Sequence, residues 1–303
     1  MTVFVYLCYG RSPAAERELR YSLETLRAEV DREAGLGGER ARTQKARRWT
    51  GVFRGFLGGA GRRRRGFSGY GIAVYSDRPE VFADLDATLV DVSPLLAQAR
   101  AGGYAHRLKP MVLADALRRF RRACVLLDLD SFIRPGFADD VAGALGKGAA
   151  MNVFVRRDPY PFFPEFATRL PHLGAYRLDR DKAIMLNSGL VAVRPEHLPL
   201  VEDAVTLIDR LWAAGLCKHD VEQFALAETL RLGGVAIALI DRSFEHYCPR
   251  WARRYMRRRL RLRARGVRIP YSRARVRLFK AYWTLRLAMR NARRSWRGLW
   301  RKT

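Results

Sequence analysis

Apolar and polar positions follow two different periods along the first 249 residues. "TVFVYLC", Thr2 to Cys8, is a near-continuous apolar run, the pattern of a strand covered on both faces. Leu19, Leu23, Leu26 and Val30 then recur at helical spacing, and "GIAVYSD" predicts a second strand. In "RLKPMVLADALRRF", Leu113, Ala116, Leu117 and Phe120 share one helical face, and this helix feeds directly into the apolar run Ala123 to Leu127. "MNVFV" and "AIMLNSGLVAV" predict further strands. Val201, Ala204, Val205, Ile208, Leu211 and Trp212 mark one helix, a second runs over about 220–232, and "VAIALI" is the last strand. "RPEVFADLDATL" reads as a short helix or loop and "YRLDRDK" as a solvated polar stretch. The alternation predicts an α/β protein with a mostly parallel sheet in a three-layer arrangement.

Charge divides the chain. The net charge is +27, yet residues 250–303 hold 21 Lys/Arg and no acid, which leaves 27 − 21 = +6 for residues 1–249. The expected organisation is therefore a body over 1–249, with a basic Gly/Arg loop at 36–68, and a cationic helical tail over 250–303. In the tail, Leu278, Tyr282, Leu285, Met289, Ala292, Trp296 and Leu299/Trp300 step by four and three, forming one apolar stripe with arginines outside it. Such a helix suits an anionic membrane surface. Docking on the body or a dimer seam are the alternatives. Nucleic acid is disfavoured, because no recognised binding motif accompanies the charge. The four cysteines are far apart, without a C-x-x-C pair, which suits a reducing, cytoplasmic setting. The apolar start lacks a basic leader and reads as a first strand, and no apolar run approaches the roughly 18–20 residues of a membrane span.

The candidate chemistry sits where "ACVLL" ends in Asp128-Leu129-Asp130. Residues i and i+2 of a strand point to one side, so the two carboxylates repel unless a cation lies between them. A divalent metal is the obvious candidate. Asp84/Asp86 and Asp179/Asp181 repeat the pattern but cap no apolar run, and they read as surface acids. Carboxyl ends of strands are where open α/β sheets bind ligands. Neither G-x-G-x-x-G after the first strand nor G-x-x-x-x-G-K-[ST] is present, so any phosphate must be held through the metal.

Strand–"DLD", then "LNSGLVAV", "HDVEQFAL" and "EHYCPR", with "HRLKP" ahead of the Asp strand, resembles the metal-dependent glycosyltransferases of the GT-A fold (nucleotide-diphospho-sugar transferases), over about residues 1–249. The resemblance implies that Asp130 binds Mn²⁺ or Mg²⁺ across the two phosphates of a nucleoside-diphosphate sugar, with a UDP-sugar favoured, and that Asp128 assists the metal or the ribose. His246 would be a third metal ligand, although "HYCPR" departs from the H-x-x-G-x-x-K-P context of one subgroup. Asn187-Ser188-Gly189 corresponds to the family's N-[AS]-G turn at the donor sugar. Glu222-Gln223 matches its acidic-Gln pair beside the anomeric carbon, with Glu where Asp is commoner. Lys109 falls where a basic residue meets the donor, Arg107 being the alternative, and Tyr9 and Asp77 fall where the base would rest. The implied function is transfer to a glycan or lipid-linked acceptor, with retention favoured, at the inner face of the membrane.

Two other readings compete. "VLLDLDSF" also resembles the first motif of haloacid-dehalogenase-type phosphatases, with Asp128 as nucleophile and Asp130 as general acid. Phe132 stands where that motif wants Thr or Val, and the motif arrives after two strands instead of opening the domain. A basic, non-catalytic membrane- or nucleic-acid-binding protein on the same scaffold is the other reading.

Overall fold

The computed structural model describes residues 2–33, 70–157 and 166–265, together with positions 278, 279, 281, 282 and 285. The 36–68 loop and most of the apolar tail stripe lie outside these. The chain forms two compact units, Met1–His246 and Tyr247–Thr303.

The first unit is built on a seven-stranded sheet. β1 (Thr2–Cys8) lies between β2 (Tyr70–Ser76) and β4 (Ala123–Leu127), parallel to both, and β3 (Thr88–Asp91) extends β2 in parallel. On the far side of β4 come β11 (Leu190–Val193), β6 (Ala149–Met151) and β12 (Ile237–Leu239). β11 runs antiparallel to both of its neighbours, while β12 runs parallel to β6, so the sheet is mostly parallel with one reversed strand.

Both faces are covered, which explains the unbroken apolar strands. Val3 and Val5 of β1, with Cys124 and Leu126 of β4, face α2 (Ser93–Ala101), α3 (Leu108–Phe120), α5 (Leu198–Ala213) and α6 (Val221–Leu232). The alternate residues Phe4, Tyr6, Val125 and Leu127 face α1 (Pro13–Glu33) and α4 (Phe137–Lys147). Period-2 alternation thus assigns each strand residue to one of two cores. Phe4, Phe137 and Phe224 are fully buried in them.

Several expectations are corrected in detail. "RPEVFADLDATL" does hold a short helix, the 3₁₀ turn Pro79–Phe82, but its end runs on into edge strand β3, which was not expected. "MNVFV" is not one strand: β6 ends at Met151 and β7 (Phe154–Arg157) leaves the main sheet to pair with β10 (Ile184–Leu186). "AIMLNSGLVAV" breaks in the same way, with β10 outside the main sheet and β11 within it. "YRLDRDK" begins in β9 (Gly174–Arg177), whose hairpin partner is β8 (Ala167–Leu170). "VAIALI" is not the last strand, since β13 (Phe244–His246) pairs antiparallel with β5 (Ser131–Ile133). α2, α4 and β8 lie outside the expectations altogether. In α4, Phe137, Ala138, Val141, Ala144 and Leu145 are buried at helical spacing, but Gly143 and Gly146 on the exposed side weaken the local signal.

In the second unit α7 (Arg250–Ala264) carries eight arginines and no acid, with Ala252, Met256 and Leu260 buried four residues apart. Phe279 lies 5.3 Å from Tyr255, ring to ring.

Candidate metal centre

β4 ends at Leu127, and the next amide, Asp128 N–H, donates to Gly189 O at 2.9 Å. Asp128 to Asp130 form a turn that leads into β5, so the two acids converge through that turn and not through strand geometry. The turn is held from behind by polar residues set into the apolar face of α1. Ser22 Oγ lies 3.1 Å from Tyr6 OH and 3.2 Å from Ser131 Oγ, and Ser131 Oγ donates to Asp128 O at 2.5 Å. Thr25 Oγ1 accepts from Ile133 N–H at 3.0 Å. The buried Glu29 carboxylate accepts the N–H groups of Gly136 and Phe137, satisfying the start of α4 from another helix. Ser22, Thr25 and Glu29 lie three and four apart, on one side of α1.

Asp128, Asp130 and His246 bring three ligand atoms within 4.8 Å of one another. β13 delivers the imidazole, since His246 pairs with Ser131 in the β5–β13 ladder. His246 Nε2 lies 3.4 Å from Asp128 Oδ2 and 3.4 Å from Asp130 Oδ1, is buried, and has no hydrogen-bond partner. Its other nitrogen settles the tautomer. Asn187 Oδ1 accepts the Gly189 backbone N–H at 2.9 Å, which identifies it as the amide oxygen. Nδ1 of His246, 2.8 Å from that oxygen, must then carry the ring hydrogen. In the neutral ring Nε2 is a lone pair facing two carboxylates, an arrangement that a cation relieves. Two carboxylates and one imidazole suit a divalent cation, and the Asn187 contact orients the ring as partners behind metal ligands do. The residues present therefore fit a divalent metal.

Lys109 sits in the first turn of α3, a start marked by Pro110. Its Nζ lies 2.7 Å from Asp128 Oδ1, donates to Oδ2 at 2.8 Å, and reaches Ser188 Oγ at 3.4 Å. Burial alone would lower its pKa, but attraction to the surrounding acids, Asp128 first, outweighs this and raises it. Lys109 is therefore the basic residue at the acids. Arg107 instead pairs with Asp209 at 2.5 Å.

Around the Asn187-Ser188-Gly189 turn, Asn187 Nδ2 donates to Gln223 Oε1 at 3.1 Å, and Ser188 Oγ lies 3.5 Å from Glu222 Oε1. Gly189 is required by close approach, because a Cβ there would stand 2.3 Å from His246 Nδ1. Glu222 is buried, and burial raises its pKa while Lys109 opposes the shift. Tyr9 is half-buried at the end of β1, and burial raises its phenol pKa against the pull of Lys109. Asp77 accepts the Gly10 N–H at 3.0 Å and 3.1 Å, which ties the ends of β1 and β2 together. Asp84 pairs with Arg20 at 2.6 Å and Asp179 with Lys182 at 3.0 Å, the surface roles expected of them.

Sequence reasoning missed Tyr104, whose phenol meets Glu222 and the His219 carbonyl, and Asn152, whose Nδ2 reaches Asn187 Oδ1 at 3.3 Å. Asn152 has a faint signal as the polar residue interrupting "MNVFV". Tyr104 has none.

The three side chains can therefore hold a cation between them, with Lys109 and the Asn187-Ser188-Gly189 turn beside it. No protein-family model matches the chain, and no curated protein does. Among solved structures it is similar to the galactosyltransferase LgtC in complex with donor and acceptor sugar analogs. That likeness has 13% identity and a TM-score of 0.49, over 90% of this chain and 99% of that one. At this level it carries no functional weight.

Proposed function

We propose that the chain is a metal-assisted glycosyltransferase of GT-A type, which moves a sugar from a nucleoside diphosphate, UDP favoured, to a glycan or lipid-linked acceptor. The observation that carries this reading is the orphaned His246 Nε2, buried 3.4 Å from both Asp128 and Asp130 at the carboxyl end of the central strand. Asp128, Asp130 and His246 would hold Mn²⁺ or Mg²⁺, which when bound supplies Lewis-acid stabilisation of diphosphate charge. Lys109 adds a fixed positive charge beside it, so the leaving diphosphate meets cations already in place. Asn187 and Ser188 on their turn, with Gln223 from α6 beside them, offer amide and hydroxyl groups suited to sugar hydroxyls. Tyr9 and Asp77, at the ends of β1 and β2, remain the choice for the base. Retention of configuration is favoured, since an inverting enzyme needs a carboxylate free to take the acceptor proton, whereas buried Glu222 faces Tyr104.

The tail fits a peripheral role at the inner membrane face. Among the described residues no helix is long and apolar enough to cross a membrane. Three members of the apolar stripe, Leu278, Tyr282 and Leu285, are 72%, 56% and 61% exposed, and α7 of the same unit carries eight arginines. Co-sedimentation of the full chain with anionic but not neutral liposomes is the expected result, weakening with salt. Equal recovery with both lipids would remove the membrane from the proposal.

The test of the reaction is a thermal-shift screen of UDP, GDP, CDP and their sugars, with and without Mn²⁺, on wild type and Asp130→Ala. Stabilisation by one nucleotide only with metal, lost in the variant, is expected. No response to any nucleotide, with hydrolysis of simple phosphomonoesters, would replace the transferase by a phosphatase.

A further inference from the structure

The Tyr104 phenol carries one hydrogen and meets two oxygens. It lies 2.8 Å from the main-chain carbonyl of His219 and is hydrogen-bonded to Oε2 of Glu222. A carbonyl only accepts. If the phenol hydrogen goes to His219, an ionised Glu222 faces a phenol lone pair. If it goes to Glu222, the His219 carbonyl faces a bare phenol oxygen. Both contacts are hydrogen bonds only when the carboxyl group brings a proton of its own. The phenol cannot swing away to resolve this. Tyr104 is 4% exposed, and its ring is stacked on Trp212 at 4.5 Å and 26°.

We propose that Glu222 stands in the folded protein as the neutral acid, giving its proton to the Tyr104 oxygen while Tyr104 gives its own to the His219 carbonyl, which makes Tyr104 the residue that positions Glu222 beside Ser188. The titratable groups facing Glu222 are Lys109 from α3 and His106 from the turn before it; the Lys109 charge favours the carboxylate, as would a Tyr104 phenol that donated to it instead of accepting from it. At the start of α6, Asp220 is paired with Arg156 at 2.9 Å. Against Lys109, His106 and the helix N-terminus stands burial: Glu222 is 3% exposed, and burial is the dominant influence on its proton affinity. The consequence rests on the transferase reading above. With Glu222 neutral, the acids beside Lys109 are Asp128 and Asp130 alone, and the crevice is one negative charge lighter for an incoming diphosphate. Glu222 then orients Ser188 and is no carboxylate nucleophile.

The experiment is a ¹³C-carboxyl NMR titration of the full chain without metal or nucleotide, with the Glu222 resonance assigned by its loss in Glu222→Gln. Its midpoint is expected above the ordinary glutamate value of about 4.3. In Tyr104→Phe, which deletes the acceptor of the acid's proton, the midpoint falls by about one unit, a tenfold loss of proton affinity. A phenol donating to a carboxylate predicts the opposite sign. A rise or no change in Tyr104→Phe overturns the proposal. So does a wild-type midpoint at or below 4.3, which needs no Tyr104 variant and so decides even if that variant fails to fold. Because no nucleotide is present, failure here is separable from failure of the transferase reading, which the thermal-shift screen decides.

Discussion

Gly189→Ala tests the geometry of the proposed metal centre without replacing any of its three ligands. The added methyl would stand 2.3 Å from Nδ1 and 2.6 Å from Cε1 of His246, and 2.8 Å from Asn187 Oδ1. Carbon contacts normally lie at about 3.5–4.0 Å, so the ring or the turn must give by roughly 1 Å. The ring is buried, anchored in β13 and bonded to Asn187 Oδ1 at 2.8 Å, so it has little room to yield. Overpacking of this kind costs about 1–3 kcal/mol, a fall of a few degrees in Tm for a unit this size. Metal binding suffers more, because ligand distances tolerate only about ±0.2 Å and disturbing the groups behind a ligand costs about 10–100-fold in affinity. Mn²⁺ titration followed by electron paramagnetic resonance measures this directly. A double-mutant cycle isolates the cause: in a His246→Ala background the alanine at 189 loses most of its stability cost. A folded Gly189→Ala protein that binds Mn²⁺ within about twofold of wild type would refute the reasoning.

Lys109→Met leaves Asp128 beside Asp130 without its 2.7 Å partner. The loss is expected at about 1–3 kcal/mol by chemical denaturation, below the roughly 3–5 kcal/mol of a fully buried pair because Asp128 keeps some exposure. Saturating Mn²⁺ should recover much of it, and a loss equal with and without metal would separate Lys109 from the centre. Glu222 makes a prediction about pH. Its pKa is raised in the folded state by burial, so its contribution is fully present below the unfolded value and is lost as pH rises through the folded one. Between the two values wild-type stability should fall by about 1.4 kcal/mol per pH unit relative to Glu222→Gln, and parallel curves in urea titrations would contradict the raised value.

The strands and the place of the acids were legible in the chain because both are local. Buried strands such as Thr2–Cys8 and Ala123–Leu127 show as apolar runs, and a run ending in Asp128 and Asp130 marks the sheet's ligand-binding end without any tertiary information. Lys109 became a candidate through the resemblance that "HRLKP" helps to carry, not through a local pattern of its own. The sheet's reversed strand was not legible. β11 reads like any apolar strand, and nothing in Leu190–Val193 states its direction or its neighbours β4 and β6. Nor does "MNVFV" or "AIMLNSGLVAV" show that each changes sheet midway, the step that brings Asn152 and Asn187 together. The burial of Glu222 escaped notice for the same reason, since a helix start looks exposed until Tyr104 packs against it. Local composition and spacing decide which segments become strands or helices, because those preferences act within a few residues. Tertiary packing alone brought His246 to the two acids, required glycine at 189 and put a phenol on Glu222. These contacts join residues tens of positions apart, and no local pattern records a distance across the chain.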